Sequence, residues 1–144
     1  MLKYLFLFYF IFKYCYSNEE YFLTLRNDNV NLRLGPSFEY PVKIIYKKKY
    51  LPVKIIDKKE NFRKVIDHKK NSGWIHISQL KKVNSIIVLS SRILFKKPTF
   101  YSKPIANIER GKLLVLAKCK KNWCKVNSQD YSGWINMDNV WGKD

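Results

Sequence analysis

Apolar residues come along this chain in short runs broken by turn residues, and no stretch keeps a 3.6-residue apolar period over the length of a helix. The first half holds YFLTL (21–25), VNLRL (30–34), YPVKIIY (40–46), LPVKIID (51–57) and FRKVID (62–67). Between them stand NDN, GPS, KKK and NSG, which are turn chemistry. Gly35-Pro36 interrupts any strand, and Pro41 and Pro52 sit near strand starts, where a missing N–H costs least. The second half repeats the rhythm with IIVLS (86–90), RILF (92–95), LLVLAKC (113–119), WCKV (123–126) and GWIN (133–136). Short strands at this spacing predict an all-β sandwich or barrel.

The two halves also match each other in order. SGWI stands at 72–75 and again at 132–135, sixty positions on. LPVKIIDKKENFRKV before the first copy runs beside LLVLAKCKKNWCKV before the second. Leu51 falls with Leu113, Phe62 with Trp123, Val65 with Val126 and Trp74 with Trp134, while the offset drifts from 62 to 60. This is an internal repeat of one small unit. The predicted architecture is two tandem β-barrels, residues 18–82 and 83–144, joined near KKVNS (81–85). A domain of about 60 residues is at the low end of what folds alone, so two copies gain by docking.

The first seventeen residues read differently. MLKYLFLFYFIFKYCYS has an early lysine, an apolar run from Tyr4 to Phe12 and a small residue, Ser17, ahead of Asn18. That is the pattern of a signal peptide cleaved near Ser17-Asn18, and the run is too short to span a bilayer comfortably. Removal leaves a mature chain in the periplasm or outside the cell. It lowers the formal charge from +17 to +15, because the segment holds two lysines and no acid. Such a charge draws anionic surfaces, including a weak contact with an anionic membrane face. A compositional lysine bias that loads every solvated turn is the competing reading. The basic residues lie in scattered doublets rather than one tract, and export argues against nucleic acid as a specific partner.

Cysteine usage agrees with export. With Cys15 gone in the leader, Cys119 and Cys124 remain as an even pair in an oxidising compartment. If both flanks of CKKNWC are strands, the cysteines face each other across a hairpin within disulfide reach. A zinc site needs four ligands, and neither histidine is near in sequence. A redox dithiol normally encloses two residues rather than four. A structural disulfide is the expectation, with no metal and no cofactor.

The residues now carry a resemblance. VNLRLGPSFEYPV, a strand, FRKV and GWIHISQL resemble the bacterial SH3-like (SH3b) domain, whose pattern Val30, Asn31, Leu32, Arg33, Gly35, Pro36, Ser37, Tyr40, Pro41 and Val42 all fit. Phe62 stands where tryptophan is commoner. The second copy, ILFKKPTFYSKPI, lacks the Arg-x-Gly and Gly-Pro-Ser elements. Its back half, CKKNWCKV followed by YSGWINMDNVWG, is similar to an exported subfamily with paired cysteines and a closing Trp-Gly. The resemblance implies small barrels of five to six strands, in which Gly73 and Gly133 let the chain turn closely and Trp74 and Trp134 cap a barrel end. Trp141 is expected on a barrel wall or at the interface between the copies.

The same resemblance bears on function. SH3-type barrels take extended ligands in an aromatic-lined groove. Candidates here are Phe38, Tyr40 and Phe62 in the first copy and Tyr101, Trp123 and Tyr131 in the second. Arg33 stands on a loop wall, its fork suited to a carboxylate or to backbone carbonyls. The implied partner is a cell-wall glycopeptide; the alternative is an extended or proline-containing segment of another periplasmic protein. No catalytic constellation is visible: His68 and His76 are isolated, and there is no nucleophile motif, carboxylate pair or phosphate loop. Wall peptidases with SH3b modules carry a separate cysteine–histidine domain, for which no residues are left over. A non-enzymatic binding protein is expected.

Overall fold

A computed structural model describes residues 19–143; the expected leader and its cleavage site lie outside the described residues. The first unit contains β1 (Tyr21–Leu25), β2 (Val30–Arg33), β3 (Val42–Tyr46), β4 (Pro52–Lys59), β5 (Phe62–Ile66), β6 (Ser72–His76), a single 3-10 turn (Ile77–Gln79) and β7 (Leu80–Lys81). The second contains β8 (Ser85–Val88), β9 (Arg92–Phe95), β10 (Pro104–Ile108), β11 (Leu113–Lys120), β12 (Trp123–Asn127), β13 (Ser132–Asn136) and β14 (Val140–Trp141). Each unit is one antiparallel seven-stranded sheet, ordered β3-β2-β6-β5-β4-β1-β7 and β10-β9-β13-β12-β11-β8-β14. Adding seven to each label of the first order gives the second, so the repeat in the sequence is a repeat of topology. The strand number exceeds the five to six expected. The extra strands include β7 and β14, two residues each and too short to leave an alternation pattern.

Local chemistry places these elements. Val30 and Leu32 in β2 turn inward while Asn31 and Arg33 do not, as a half-buried strand requires. The β4–β5 and β11–β12 hairpins close through two-residue turns, with Glu60 and Lys121 at positive φ. Each hairpin shifts register once, between Ile55 and Asp57 and between Leu116 and Lys118. Within the second, Cys119 and Cys124 are direct cross-strand partners joined by a disulfide, their Cα atoms 4.0 Å apart.

The paired glycines of SGWI have a different task from the turn expected of them. Gly73 and Gly133 lie inside strands, buried. A Cβ on Gly73 would come within 2.7 Å of the Arg33 carbonyl oxygen, and one on Gly133 within 2.7 Å of the Phe95 carbonyl oxygen. The glycines let β6 cross β2, and β13 cross β9, at backbone distance. Their neighbours Trp74 and Trp134 pair across those crossings with Arg33 and Phe95.

Two cores result, and one strand serves both. Leu25, Val30, Leu32, Val53, Ile55, Val65 and Ile75 form the first, and Leu94, Ile108, Leu114, Val126 and Ile135 the centre of the second. All four residues of β8 are buried. Ile86 and Val88 enter the core of their own unit, whereas Ile87 enters the core of the first. A strand buried on both faces reads as a continuous apolar run rather than an alternating one, which explains IIV. Trp141, opposite Ile87 in the β14–β8 pair, enters the first core with it. Its ring meets Phe22 edge-on at 5.2 Å, its indole N–H donates to the Pro52 carbonyl at 2.9 Å, and Lys54 and Lys70 lie over it. Ser85 adds a hydroxyl bond to the Tyr50 carbonyl.

The first unit also buries a polar latch. Tyr46 donates its hydroxyl to Asp67 at 2.9 Å, and Asn71 (backbone and side chain) and the Lys69 amide donate to the same carboxylate. Burial pushes the Asp67 carboxyl up, but the hydrogen bonds from Asn71, Tyr46 and Lys69 outweigh it and leave its pKa below the ordinary value. Burial, then the bond to Asp67 and its charge, raises the Tyr46 hydroxyl. His68 next door is lowered by burial and by Lys69 and Lys48, against the pull of Asp67.

Two outcomes follow from this packing. Trp141→Ala should cost about 3–5 kcal/mol and split one urea transition into two, read by circular dichroism and tryptophan fluorescence. A carboxyl with a depressed folded pKa stabilises above its ordinary value of 3.8 and loses that contribution as pH falls through the folded value. Urea midpoints of the parent should therefore drop between about pH 5 and pH 2 more steeply than those of Asp67→Asn, which should be the less stable protein at neutral pH.

Candidate functional site

The loop after β2 folds back on itself and is held by an arginine. Arg33 donates from one nitrogen to the carbonyls of Phe38 (3.2 Å) and Tyr40 (2.9 Å), and its guanidinium lies 5.3 Å from the centre of the Phe38 ring. Of the two partners open to this side chain, backbone carbonyls and a carboxylate, it holds the carbonyls. The Tyr40 ring rests where a side chain on Gly35 would stand, within 2.4 Å of that position.

On this loop and the adjoining strands the rings gather. Phe38 meets Phe62 at 5.2 Å and His76 at 5.0 Å, and Phe62 meets His76 at 5.1 Å. Phe62 is buried, at 6% exposure, whereas Phe38 is 63% exposed. The cluster is therefore a floor ring at the start of β5, a histidine at the end of β6 in contact with both other rings, and an outer ring on the loop. Phe62 and His76 stand directly opposite each other in the sheet.

The second unit builds the same cluster with other residues. Leu34 and Lys96 donate their amides to the carbonyls of Pro41 and Lys103, Ser37 and Thr99 to those of Gly35 and Lys97, and Tyr40 and Ser102 to those of Ser37 and Thr99. These shared bonds equate Phe38 with Phe100 and Arg33 with Phe95. The sheet pairing equates Phe62 with Trp123 and His76 with Asn136. Phe100 lies 4.7 Å from Trp123, and Phe95 lies 5.9 Å from both. Where the first unit spends an arginine on the loop backbone, the second has a third ring. Beside these rings is a hollow of about 420 Å³ lined by Arg92, Phe95, Phe100, Asn136 and Asp138, among others.

The sequence-predicted residues thus divide. Arg33, Phe38 and Phe62 meet at the first cluster, Tyr40 shares the loop with its ring against Gly35 and its carbonyl on Arg33, and Trp123 sits in the second. Tyr101 is on the second loop but fully exposed, at the position of Glu39, with the ring contacts belonging to its neighbour Phe100. Tyr131 lies at the far end of the β12–β13 hairpin, packed on the second core, with its backbone tied to Ser128. Phe95, Phe100, His76 and Asn136 are the members that sequence reasoning passed over. Phe100 carried a signal: it follows Phe38 at the 62-residue offset that relates Leu51 to Leu113.

A profile of the bacterial SH3 domain matches residues 26–82 and again 92–142, together most of the chain. No curated protein matches it. Among solved structures, NlpC1 and NlpC2 from Trichomonas vaginalis are similar at 13% identity and a TM-score of 0.39, covering 87% of this chain and 46% and 49% of theirs. An NlpC/P60 family protein from Bacillus cereus is similar at 13% identity and a TM-score of 0.38, covering 83% of this chain and 55% of its own. The chain spans about half the length of these structures.

The loop geometry makes one outcome specific. Arg33→Ala should release the turn at 35–40, speeding amide exchange at Tyr40 and Leu34 while costing the whole protein only about 1 kcal/mol by thermal denaturation.

Proposed function

Because the chain belongs to the bacterial SH3 domain family and carries two copies of its fold, we propose that it is a non-catalytic binding protein that works outside the cytoplasm on peptides of the cell wall. The observation that carries this reading is the aromatic cluster built twice at equivalent positions from different residues, Phe38–Phe62–His76 and Phe95–Phe100–Trp123. A core demands rings that are covered. Phe38 and Phe100, each 63% exposed, are not. Exposed rings beside more covered ones, Phe62 in the first copy and the partly buried Phe95 and Trp123 in the second, on a loop fixed by hydrogen bonds, suit an extended ligand laid across them. The disulfide is consistent with an oxidising compartment.

Charge assists without defining the ligand. Lysines spread over the surface raise the encounter rate with wall carboxylates and phosphates, and that contribution weakens as salt rises. Contacts with the rings do not weaken in the same way.

The test is co-sedimentation of the oxidised mature chain with purified peptidoglycan sacculi at low and near-physiological salt. Retention at the higher salt is expected, and Trp123→Ala should weaken it by roughly tenfold or more. Binding that vanishes at the higher salt, or that the variant keeps in full, would turn the search to a protein ligand or to charge alone.

A further inference from the structure

His76 and Asn136 are different residues with one arrangement in common. In the first unit the Ser78 amide donates to His76 Nδ1 at 3.2 Å, capping the 3-10 turn, and the Ser78 hydroxyl lies 2.7 Å from the same nitrogen. In the second the Asp138 amide donates to Asn136 Oδ1 at 3.0 Å. A backbone N–H only donates, so each side chain must present an acceptor to it. For histidine this fixes the tautomer: Nδ1 is bare and the proton sits on Nε2. For asparagine it fixes the amide orientation, with Oδ1 on the cap and Nδ2 turned away. Each unit therefore holds one N–H donor in set orientation, His76 Nε2 or Asn136 Nδ2, beside its aromatic cluster.

We infer that His76 and Asn136 are ligand-binding residues, each donating a hydrogen bond to a main-chain carbonyl of a peptide whose amide plane lies on the neighbouring rings. The inference rests on the peptide-binding reading above and adds the polar anchor that it lacks. The rings supply area without direction, and apolar sites take their orientation from a few placed polar groups. The His76 ring lies tilted at 33° against Phe38 and meets Phe62 edge-on. Asn136 stands opposite Trp123 in the sheet and lines the hollow with Phe95 and Phe100. The donor is thus within the aromatic cluster of both copies. Main-chain carbonyls occur at every residue of a peptide, so such an anchor fixes the ligand's register along the rings rather than its side chains. A cap alone explains the acceptor. It does not explain why both copies chose a side chain that carries a donor as well, when aspartate or serine caps a turn equally well.

The variants follow from that point. His76→Asp and Asn136→Asp keep an acceptor for the cap and remove the donor, whereas His76→Asn restores both in the form the second unit uses. The double aspartate variant should unfold within a few degrees of the parent and bind soluble muropeptides roughly 5- to 10-fold more weakly. His76→Asn, which keeps the cap and the donor but gives up a ring of the cluster, should bind more tightly than His76→Asp and more weakly than the parent. A first arm needs no ligand: nitrogen-15 chemical shifts of the free oxidised protein should show a bare Nδ1 and a protonated Nε2 at His76, and the opposite assignment overturns the inference. A second arm titrates the parent with muropeptides and, separately, with a blocked tetra-alanine peptide that has no wall chemistry, following His76 Nε2 and Asn136 Nδ2. Shifts with muropeptides sustain both readings. Shifts with the plain peptide alone sustain the donor and overturn the wall assignment. Shifts with neither, or undiminished affinity in the double aspartate variant, overturn the inference.

Discussion

The molecule hangs on a strand with no solvent face. Once Ile86 and Val88 point into one core, the period of two forces Ile87 into the other, and Trp141 follows because it is the cross-strand partner of Ile87. Each unit is too small to bury much of its own surface. A shared strand gives both more apolar area than either holds alone, and the indole, the largest side chain available, fills the seam. The Pro52 carbonyl takes the indole N–H, so the seam buries a tryptophan without orphaning its donor. Close approach at this seam also sets Gly142, at positive φ, where a Cβ would meet the Ser85 carbonyl at 2.5 Å.

With the docking fixed by β8 and β14, the two copies were free to diverge elsewhere, and they diverge in opposite ways. The first keeps polar fasteners: Arg33 on its loop, and the Tyr46–Asp67 latch beneath. The second replaces them. Phe95 stands for Arg33, and Ile108 and Ser128 occupy the places of Tyr46 and Asp67 in the matching strand and turn. Ile108 is buried without a polar atom to satisfy, and Ser128 is exposed and bonds within its own turn, so the exchange removes the desolvation cost along with the latch. In the second loop Ser102, at the position of Tyr40, accepts a hydrogen bond from the Lys97 amide, while the bond from the Tyr101 amide to Thr99 repeats that from Glu39 to Ser37.

Much of the fold was legible because its determinants are local. Alternation in VNLRL and FRKVI, the turn residues between them and the doubled SGWI announce strands, hairpins and a repeat, and the cysteine spacing announces a cross-strand pair. What the sequence hid was whatever depends on a partner far along the chain. The glycines of SGWI read as turn residues because the carbonyls of Arg33 and Phe95 that require them are forty residues or so away. At the site, Phe38, Phe62 and Trp123 stood on recognisable motifs, whereas Phe95 ends the strand before, and Phe100 lies in, a loop that had lost its Gly-Pro-Ser signature. His76 looked isolated because the rings around it come from β5 and from the loop before β3. Tyr131 looked available because sequence order does not say which end of a hairpin a residue occupies.

The disulfide belongs to this divergence. In the first unit the β4–β5 hairpin is fastened from within by Phe62, which is buried at the cluster floor. Trp123 takes that position in the second unit but is only partly buried, so its hairpin loses an internal anchor while its ring becomes available at the surface. Cys119 and Cys124 stand where the first unit has Lys58 opposite Arg63. The bond closes a very short ring, for which the loop-entropy estimate is roughly 2 kcal/mol, and it lies one residue from Trp123. Cys124, buried in the second core, ties the strand that carries the indole to its neighbour. A covalent fastener thus replaces a packed side chain, and the ring it releases from the core remains held in place for a ligand.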